Sequence, residues 1–512
     1  MLAKTSSAAL SGIDAIPVEI EVNCTPGGDM PSTVIVGLPD AAVKESRERV
    51  RSAVAACGYA YPEGLTLVNL APADLRKEGA IFDLPIALCI LAANGVIPPE
   101  SLQCMLFAGE LALDGTVRPV RGILSAALMA RASNGNYKAI VVPEANAREA
   151  AVAADRLPVY AVSTLADALA AVNGQLAPVP QEMSSAFTDP DWSQIPDFSE
   201  VKGQSAAKRA LEIAAAGGHN VLLSGPPGSG KSMLARRLPG ILPPMTIEET
   251  LETSRIHSIL GLLRPDEPLL RTRPYRAPHH TISDAGLLGG GTNPQPGEIS
   301  LAHNGVLFLD ELPEFKRNVL EVLRQPLENG NVTVSRASGS FLFPARFMLI
   351  AAMNPCPCGH LGDTRHHCRC RSIQIQQYRA KISGPLLDRI DMHIEVAALN
   401  ENELVSAPAG ETSAQIRERV LRARAVQTER FRGAGIHCNA YMEPVHLMRF
   451  CRLDPSLQCL LRHSITEFGF SARAYDKILR IARTIADLAG SENIQRSHLF
   501  EAIGYRSLDR RN

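Results

Sequence analysis

GPPGSGKS, residues 225–232, follows the apolar run Val221–Leu223 and precedes residues 233–238, whose composition favours a helix. Glycines allow backbone N–H groups to turn inward around phosphate oxygens, and a helix that starts there adds the positive end of its dipole. In such a loop Lys231 supplies charge to the β- and γ-phosphates, and Ser232 supplies a hydroxyl ligand for Mg²⁺. The sequence therefore predicts a nucleotide-binding loop. Its residues are Gly225, Pro226, Pro227, Gly228, Ser229, Gly230, Lys231 and Ser232.

A second apolar strand ends in two acidic residues. The run Val306–Leu309 is followed directly by Asp310 and Glu311. Ligands bind at the carboxyl ends of strands in open α/β sheets, so these acids are expected beside the phosphates. We expect Asp310 to hold the Mg²⁺ shell and Glu311 to polarise the attacking water. The alternative is that the two acids only cap a buried strand. The nucleotide-binding loop upstream, at the distance expected within one domain, favours the functional interpretation.

Three further residues resemble positions in the AAA+ ATPases. Asn354 ends the apolar run Phe347–Met353 and matches the sensor 1 position, which orients the catalytic water, although Asn before Pro is also a common turn. Arg389 lies in LLDRID, which resembles the arginine finger of magnesium-chelatase and MCM-type proteins; the alternative is a structural arginine paired with a neighbouring aspartate. Arg473 matches the sensor 2 arginine at the head of a lid helix, or is a solvated basic residue.

Taken together, six phrases of the chain resemble the ComM/YifB group of magnesium-chelatase-like AAA+ proteins. They are GPPGSGKS, RPYRAPHHTIS, GEISLAHNGVLFLDELPEF, AAMNPCPCG, SGPLLDRID and SARAYDKILRIARTIADL. The resemblance covers nearly the full chain. It implies a homohexameric ring that hydrolyses ATP with Mg²⁺, encircles single-stranded or branched DNA and drives branch migration in recombination and natural transformation. The alternative is a magnesium-chelatase-like or chaperone-like ATPase that remodels a protein partner.

Residues 1–175 alternate short apolar runs with helical segments, which predicts a compact α/β domain. Several phrases, including DLRKEGAIFDLPIAL, resemble the proteolytic domain of Lon-type proteases, which cut with a Ser–Lys dyad. Where that family has its serine, this chain has the stretch Ala80–Asp83, which contains no hydroxyl nucleophile, and where that family has its lysine, this chain has Ile123 and Leu124. An apolar residue can neither attack nor deprotonate, so a scaffold or partner-binding role is favoured over peptidase activity.

The predicted fold class is α/β, with a P-loop AAA+ core between a Lon-like front domain and a helical lid. A Pro- and Ser-containing linker is expected at 176–197, the AAA+ core at 198–399 and the C-terminal lid at 400–512. At 512 residues the chain is long enough for about three such domains.

A cysteine-rich insert, residues 356–370, follows Asn354 directly. Cys356, Cys358, Cys368 and Cys370 form two C-x-C pairs whose thiolates could close a tetrahedral Zn²⁺ site. The spacing is tighter than the usual C-x-x-C, nearby histidines offer substitutes, and an exposed cysteine loop is the alternative. Zinc there would brace a loop beside the ATPase centre.

Two basic segments are candidates for contact with nucleic acid. Residues 271–298 combine arginines with Tyr275 and the pair His279–His280, which suits single-stranded DNA. The histidine pair alone is more often structural than a metal site. Residues 415–432 carry six arginines, for which a solvated helix face is the usual explanation and nucleic acid or a ring neighbour the other.

Composition limits the cellular setting. The net charge of −1 argues against a globally basic coat protein for nucleic acid. The longest apolar run, residues 84–93, is too short to span a membrane, and the first twelve residues lack the apolar core of a signal peptide. A cytoplasmic protein with no membrane partner is expected.

Overall fold

The computed structural model divides the chain into two compact units, each described here by itself. The first comprises Met1–Asp189 and Thr246–Arg271, and the second comprises Pro190–Met245 and Thr272–Asn512. No helix in the described part of the chain combines the length and apolarity needed to cross a bilayer. The described residues are 2–25, 27, 32–133, 135–180, 190–291, 294–336, 339–362, 366–398, 410–506 and 508, with only the backbone of Arg336.

The first unit contains a mixed sheet whose strands pair in the order β3–β4–β2–β1–β5–β8–β9. The long strands β1 and β2 are antiparallel, and Val18, Ile20 and Val22 of β2 are fully buried, as their alternation predicted. Strands β6 and β7 form a separate hairpin. The strands are β1 Leu2–Ser11, β2 Asp14–Thr25, β3 Ser32–Val36, β4 Leu65–Ala71, β5 Met105–Phe107, β6 Glu110–Leu111, β7 Val117–Arg118, β8 Ala139–Pro143 and β9 Val159–Val162.

Helices cover this sheet and include one that comes from much later in the chain. The backbone N–H of Gly122 donates to the carbonyl of Ser258, the Ser258 hydroxyl donates to buried Glu149, and Arg255 forms an ion pair with Asp14. Residues 246–271 therefore complete the first unit, although the sequence analysis assigned them to the AAA+ core. The helices of this unit are Ala41–Ala56, Asp83–Ala93, Ile123–Ala132, Glu144–Ala154, Leu165–Val172 and Ile247–Ile259.

The second unit is built on a parallel sheet in the order β11–β14–β17–β10–β18. All four residues of β10 and of β14 are buried, which explains their continuously apolar sequence. Strands β15 and β16 form the antiparallel hairpin that their alternating sequence indicates. The strands are β10 Val221–Ser224, β11 Tyr275–Arg276, β12 Gly289–Gly290, β13 Gln295–Pro296, β14 Val306–Leu309, β15 Asn331–Arg336, β16 Gly339–Pro344, β17 Met348–Met353 and β18 Met392–Glu395.

The C-terminal helices share one hydrophobic core with this sheet. In the helix Ala472–Leu488, the apolar spacing of Tyr475, Ile478, Ala482 and Ile485 indicates one buried face. Ile478, Ala482 and Ile485 are buried, whereas Tyr475 is 36% exposed. The predicted start of the lid falls on residues 399–409, and much of the predicted linker on 181–189, which lie outside the described residues. The helices are Ser205–Gly217, Lys231–Arg237, Asp284–Leu288, Glu298–Leu301, Arg317–Glu321, Arg324–Asn329, Ser372–Ala380, Gly384–Leu387, Ser413–Arg430, Pro444–Phe450, Pro455–Phe468, Ala472–Leu488 and Arg496–Gly504.

Candidate active site

The GPPGSGKS loop connects strand β10 to the helix Lys231–Arg237. Its first glycine has no space for a side chain, because a Cβ on Gly225 would lie 2.1 Å from the carbonyl oxygen of Val396. Gly230, directly before the helix, has φ of +91°, a backbone conformation that favours glycine. Close packing at one end and a left-handed turn at the other therefore fix the loop around the start of the helix.

Lys231, the charged residue of this loop, is buried, with 8% of the residue exposed. Its Nζ donates to the carbonyl oxygens of Gly225 at 2.7 Å and Pro226 at 2.9 Å, and lies 3.4 Å from Oδ1 of Asn354. Burial lowers the pKa of the ammonium, while the carboxylates of Asp310 and Glu311 act in the opposite direction. The lysine is held by neutral oxygens and remains close to two negative charges.

The carboxyl end of β14 meets this loop. The hydroxyl of Ser232 donates to Oδ2 of Asp310 at 2.6 Å. A hydroxyl and a carboxylate side by side are hard oxygen ligands of the kind that Mg²⁺ takes. The donor set therefore fits Mg²⁺ at the point where the sequence predicted it.

Glu311 has an unusual backbone conformation. Its φ of +52° and ψ of +47° lie in the left-handed region, which is uncommon for a residue other than glycine. Its N–H donates to Oδ1 of Asp310 at 3.0 Å, and its carboxylate is 3.4 Å from Nδ1 of His280. The side chain is 53% exposed, so the carboxylate is open to water.

Asn354 follows β17, the strand between β14 and β10. The amide oxygen of Asn354 lies beside Nζ of Lys231, as noted above. The structure thus brings together five predicted site residues at the carboxyl edge of one sheet. They are Lys231, Ser232, Asp310, Glu311 and Asn354.

Arg389 and Arg473 lie at the opposite, amino edge of the sheet. Asn220 lies directly before β10. Its backbone N–H donates to Oδ2 of Asp391, and its side-chain amide donates to the carbonyl oxygen of Arg389. The Arg389 guanidinium pairs with Glu328, and Arg473 lies 3.4 Å from Asp388. The nucleotide-binding loop follows the carboxyl end of β10, whereas these arginines lie at its amino end. Arg389 and Arg473 are therefore not part of the same site as Lys231 within one chain.

A cleft of about 560 Å³ opens at this amino edge. Within it Lys477 forms an ion pair with Asp391 at 3.1 Å, and Nε of Arg389 is buried with no hydrogen-bond partner among the described residues. Burial acts to raise the pKa of Asp391, but Lys477 and His219 hold it well below its ordinary value. Five cationic side chains line the cleft: Arg346, Arg389, Arg473, Lys477 and Arg480.

The four predicted cysteines converge. Sγ of Cys356 is 3.4 Å from that of Cys358 and 3.7 Å from that of Cys368, and the four sulfur atoms lie within 4.8 Å of one another. Hydrogen bonds from the backbone N–H groups of His360 and Arg369 lower the pKa of Cys358 to about 6, which favours the thiolate. Residues 363–365 of this insert lie outside the described residues.

The cysteine-rich loop packs against the nucleotide-binding loop. A Cβ on Gly359 would lie 2.8 Å from Cδ of Pro227 and 4.0 Å from the side chain of Asn354. The cysteine-rich loop therefore lies beside the side chains of Pro227 and Asn354.

Most of the basic residues proposed for nucleic-acid contact have structural partners. Arg276 forms two hydrogen bonds of 2.6 Å with Glu298, Arg273 donates to backbone carbonyls, and Tyr275 stacks on Phe308. In the helix Ser413–Arg430 and just beyond it, the following arginines contact acidic, aromatic or carbonyl groups: Arg417, Arg419, Arg424, Arg430 and Arg432. These contacts occupy the named side chains within the protein, and nucleic-acid contact by either segment stays a prediction.

His280 is the residue at this site that the sequence reasoning did not assign. The histidine pair was visible in the sequence, but its functional interpretations were contact with single-stranded DNA and a metal site. The signal that identifies His280 is its position after β11, a strand of two residues that no sequence periodicity reveals.

A nucleotide-binding loop and an acid pair at the carboxyl edge of a parallel sheet define a P-loop nucleotide-binding protein with an α/β AAA+ fold. Three family models match the chain. Residues 197–404 match magnesium chelatase, subunit ChlI; residues 20–146 match subunit ChlI of Mg-chelatase; residues 410–506 match the ChlI C-terminal region.

Relatives match over almost the entire chain. Competence protein ComM of Haemophilus influenzae is 46% identical over 99% of this chain and 98% of its own, and YifB of Escherichia coli is 42% identical over 98% and 96%. The magnesium-chelatase 38 kDa subunit of Cereibacter sphaeroides is 25% identical over 59% of this chain and 88% of its own. The chain therefore belongs to the ComM/YifB family of magnesium-chelatase-like proteins. This family implies an AAA+ ATPase that uses ATP and Mg²⁺.

Proposed function

We propose that this protein is an ATP-driven DNA motor that assembles as a ring and moves strands of branched DNA. The observation that carries the proposal is the separation of two sets of residues. Phosphate- and Mg²⁺-binding groups lie at the carboxyl edge of the sheet, and Arg389 lies at the amino edge of the same sheet. A site that contains both needs a second copy of the chain.

In this proposal the chain's own residues have separate tasks. Lys231 and the loop amides bind the phosphates, and Ser232 and Asp310 hold Mg²⁺, which neutralises charge on the phosphate oxygens when bound. Glu311 accepts a hydrogen bond from the attacking water and Asn354 orients that water. Arg389 of a neighbouring copy stabilises the charge that develops on the γ-phosphoryl group.

The DNA assignment rests on the relationship to a protein named for competence. The competing assignment, remodelling of a protein partner, is favoured by the weaker match to magnesium-chelatase subunits. ATP hydrolysis should be measured without effector, with single-stranded DNA, with a four-way junction and with an unfolded protein, each at low and high salt. We expect DNA to stimulate turnover and added salt to reduce that stimulation, since phosphate contacts release counterions. Stimulation by protein alone would overturn the proposal.

The first unit acts in this proposal as a Lon-like scaffold that does not cut peptides. Ile123 and Leu124, at the positions of the Lon lysine, are fully buried in its core, and Lys77 is buried with its Nζ bonded to the carbonyl of Pro72. The unfolded protein of the previous experiment is therefore expected to stay intact. Its cleavage, if unaffected by inhibitors of contaminating proteases, would contradict this role.

The cysteine cluster is proposed to hold structural zinc. Thiolates around Zn²⁺, with Zn–S bonds of about 2.3 Å, lie about 3.8 Å apart, and the measured sulfur separations are close to this value. Metal analysis of the purified protein should find about one zinc per chain, since a tetrahedral site uses four thiolates. Cys368→Ser should lower that content and Cys459→Ser, at an exposed cysteine elsewhere, should not. Equal zinc in both variants would refute the site.

A further inference from the structure

We propose that His280 is a positioning residue for Glu311: its imidazole holds the carboxylate in the orientation from which that carboxylate polarises the attacking water. The inference rests on the proposed ATP hydrolysis and adds to it a residue outside the two nucleotide motifs. The contact that supports it is the 3.4 Å separation between Nδ1 of His280 and Oε2 of Glu311.

Strand pairing brings the two residues together. Strand β11 runs parallel to β14, with Tyr275 opposite Val306 and Arg276 opposite Leu307. The chain therefore leaves both strands at the same edge of the sheet, where ligands of open α/β sheets bind. His280 and Glu311 are the side chains that meet after these exits.

The position of His280 is fixed from several sides. Its ring packs edge-to-face on Phe315, with ring centroids 6.3 Å apart, and Phe315 is 4% exposed. The ring of His279 lies 4.1 Å from that of His280, and Nδ1 of His279 is 2.9 Å from the hydroxyl of Thr281. The imidazole is therefore preorganised beside the Glu311 carboxylate.

Glu311, in contrast, needs support. Its backbone is in the left-handed region, which is unfavourable for a residue with a Cβ, and its long side chain loses further freedom when one orientation is selected. From Glu311, Asp310 accepts the backbone N–H, a bond that does not orient the Glu311 carboxylate. Nδ1 of His280, 3.4 Å from Oε2 of Glu311, is placed to supply that constraint.

A contact of similar length elsewhere in the same unit provides the control. Nε2 of His463 lies 3.6 Å from Oε2 of Glu467, one helical turn away, and these side chains are 78% and 57% exposed. His280 is 31% exposed and has aromatic neighbours. A generic surface His–Glu pair contributes little in water, so the two pairs should respond differently to removal of the histidine.

The experiment measures kcat and the KM for ATP of the full-length protein under the best-stimulating condition. His280→Ala should lower kcat about 10-fold and leave KM unchanged, because a misplaced water-activating group affects the chemical step. His280→Asn should recover part of the loss, since its amide N–H can replace Nδ1–H. His463→Ala should match the wild type, and in a Glu311→Gln background His280→Ala should cause no further loss.

Three results would overturn the inference: wild-type kcat in His280→Ala, a raised KM as its sole effect, or a full additional loss in the Glu311→Gln background. Absence of ATP hydrolysis in the wild type removes the proposed function together with this inference. Wild-type turnover with unchanged kcat in His280→Ala removes the inference alone.

Discussion

The two edges of the parallel sheet differ in the chemistry that they offer. At the carboxyl edge, Lys231 lies 3.4 Å from Asn354, and Ser232 donates a hydrogen bond to Asp310. At the amino edge, arginines and a buried lysine line a cleft and pair with nearby carboxylates. The carboxyl edge has the groups proposed to bind a nucleotide and Mg²⁺, and the amino edge has a cluster of cationic side chains.

The distance between the two edges keeps their side chains apart within one chain. The four residues of β10 separate the edges by about 13 Å, because a strand rises about 3.3 Å per residue. A complete catalytic set is therefore expected only where the carboxyl edge of one copy meets the amino edge of the next. The following predictions test whether both edges serve one reaction.

The largest effect is expected from Arg389→Ala, at the amino edge. Loss of an arginine finger typically reduces kcat by about 10³-fold or more, and steady-state ATP hydrolysis measures it. Arg422→Ala, at an exposed arginine of the helix Ser413–Arg430, is the matched control.

An experiment in which two inactive variants are mixed distinguishes an arginine that acts on a neighbouring copy from an arginine whose loss impairs folding. Lys231→Ala should be inactive because it removes the phosphate-binding charge, yet mixed with Arg389→Ala it should regain part of the activity, since some interfaces then have both intact groups. If the mixed variants form assemblies of normal size and remain inactive, the two edges of the sheet do not contribute to one shared site.

Glu311→Gln, at the carboxyl edge, should lower kcat by about 10²-fold or more while ATP stays bound, because removal of a general base typically costs that much. Rapid filtration with labelled ATP measures retention, and Glu314→Gln, three residues away in an ion pair with Lys381, is the control. Normal turnover by Glu311→Gln would assign water activation to another group.

Asp391→Asn tests whether the ion pair at the amino edge stabilises the fold. It leaves Lys477 buried without its countercharge and should destabilise the second unit by about 3 kcal/mol, without touching the nucleotide-binding loop. Trp192, the one tryptophan of the sequence, lies in this unit, so its fluorescence during urea unfolding measures the change.

The effect of pH has a defined sign. The pKa of Asp391 is lowered in the folded state, so its contribution is present above the unfolded pKa, about 4, and is lost as the pH falls below it. The stability difference between wild type and Asp391→Asn should therefore shrink as the pH is lowered from 7 towards 3. A difference that grows instead would contradict the ion-pair explanation.

The smallest effect is expected for Arg473→Ala. The side chain is 65% exposed and its contact with Asp388 is 3.4 Å, so it contributes little to stability. If it contacts the nucleotide of a neighbouring copy, its loss should change the KM for ATP or kcat about 10-fold, the value of one charge-assisted hydrogen bond. Kinetics identical to those of Arg462→Ala, at an exposed arginine of the preceding helix, would exclude that contact.

The residues of the carboxyl edge could be predicted from the sequence because each one either belongs to the GPPGSGKS loop or follows a recognisable apolar strand. Asp310 and Asn354 follow β14 and β17 directly, and neighbouring parallel strands deliver their ends to one edge. The convergence of the cysteines could also be predicted, since the two pairs lie close in sequence.

The remaining features depend on long-range contacts. Arg276 appears as a free cation in the sequence, and only the fold reveals its pairing with Glu298. The placement of residues 246–271 depends on Glu149 and Asp14, more than 100 positions earlier in the chain. His280 follows a strand too short to leave a periodic pattern.

The assignment of residues 246–271 to the first unit means that the two units cannot be separated by a single cut. A fragment that starts at Pro190 would carry the helix Ile247–Ile259 without the core against which its Leu251 packs, and a fragment that ends at Asp189 would lack the hydroxyl of Ser258 beside Glu149. During synthesis, the first unit can complete its core only after Arg271 has left the ribosome, by which time the GPPGSGKS loop has already been made.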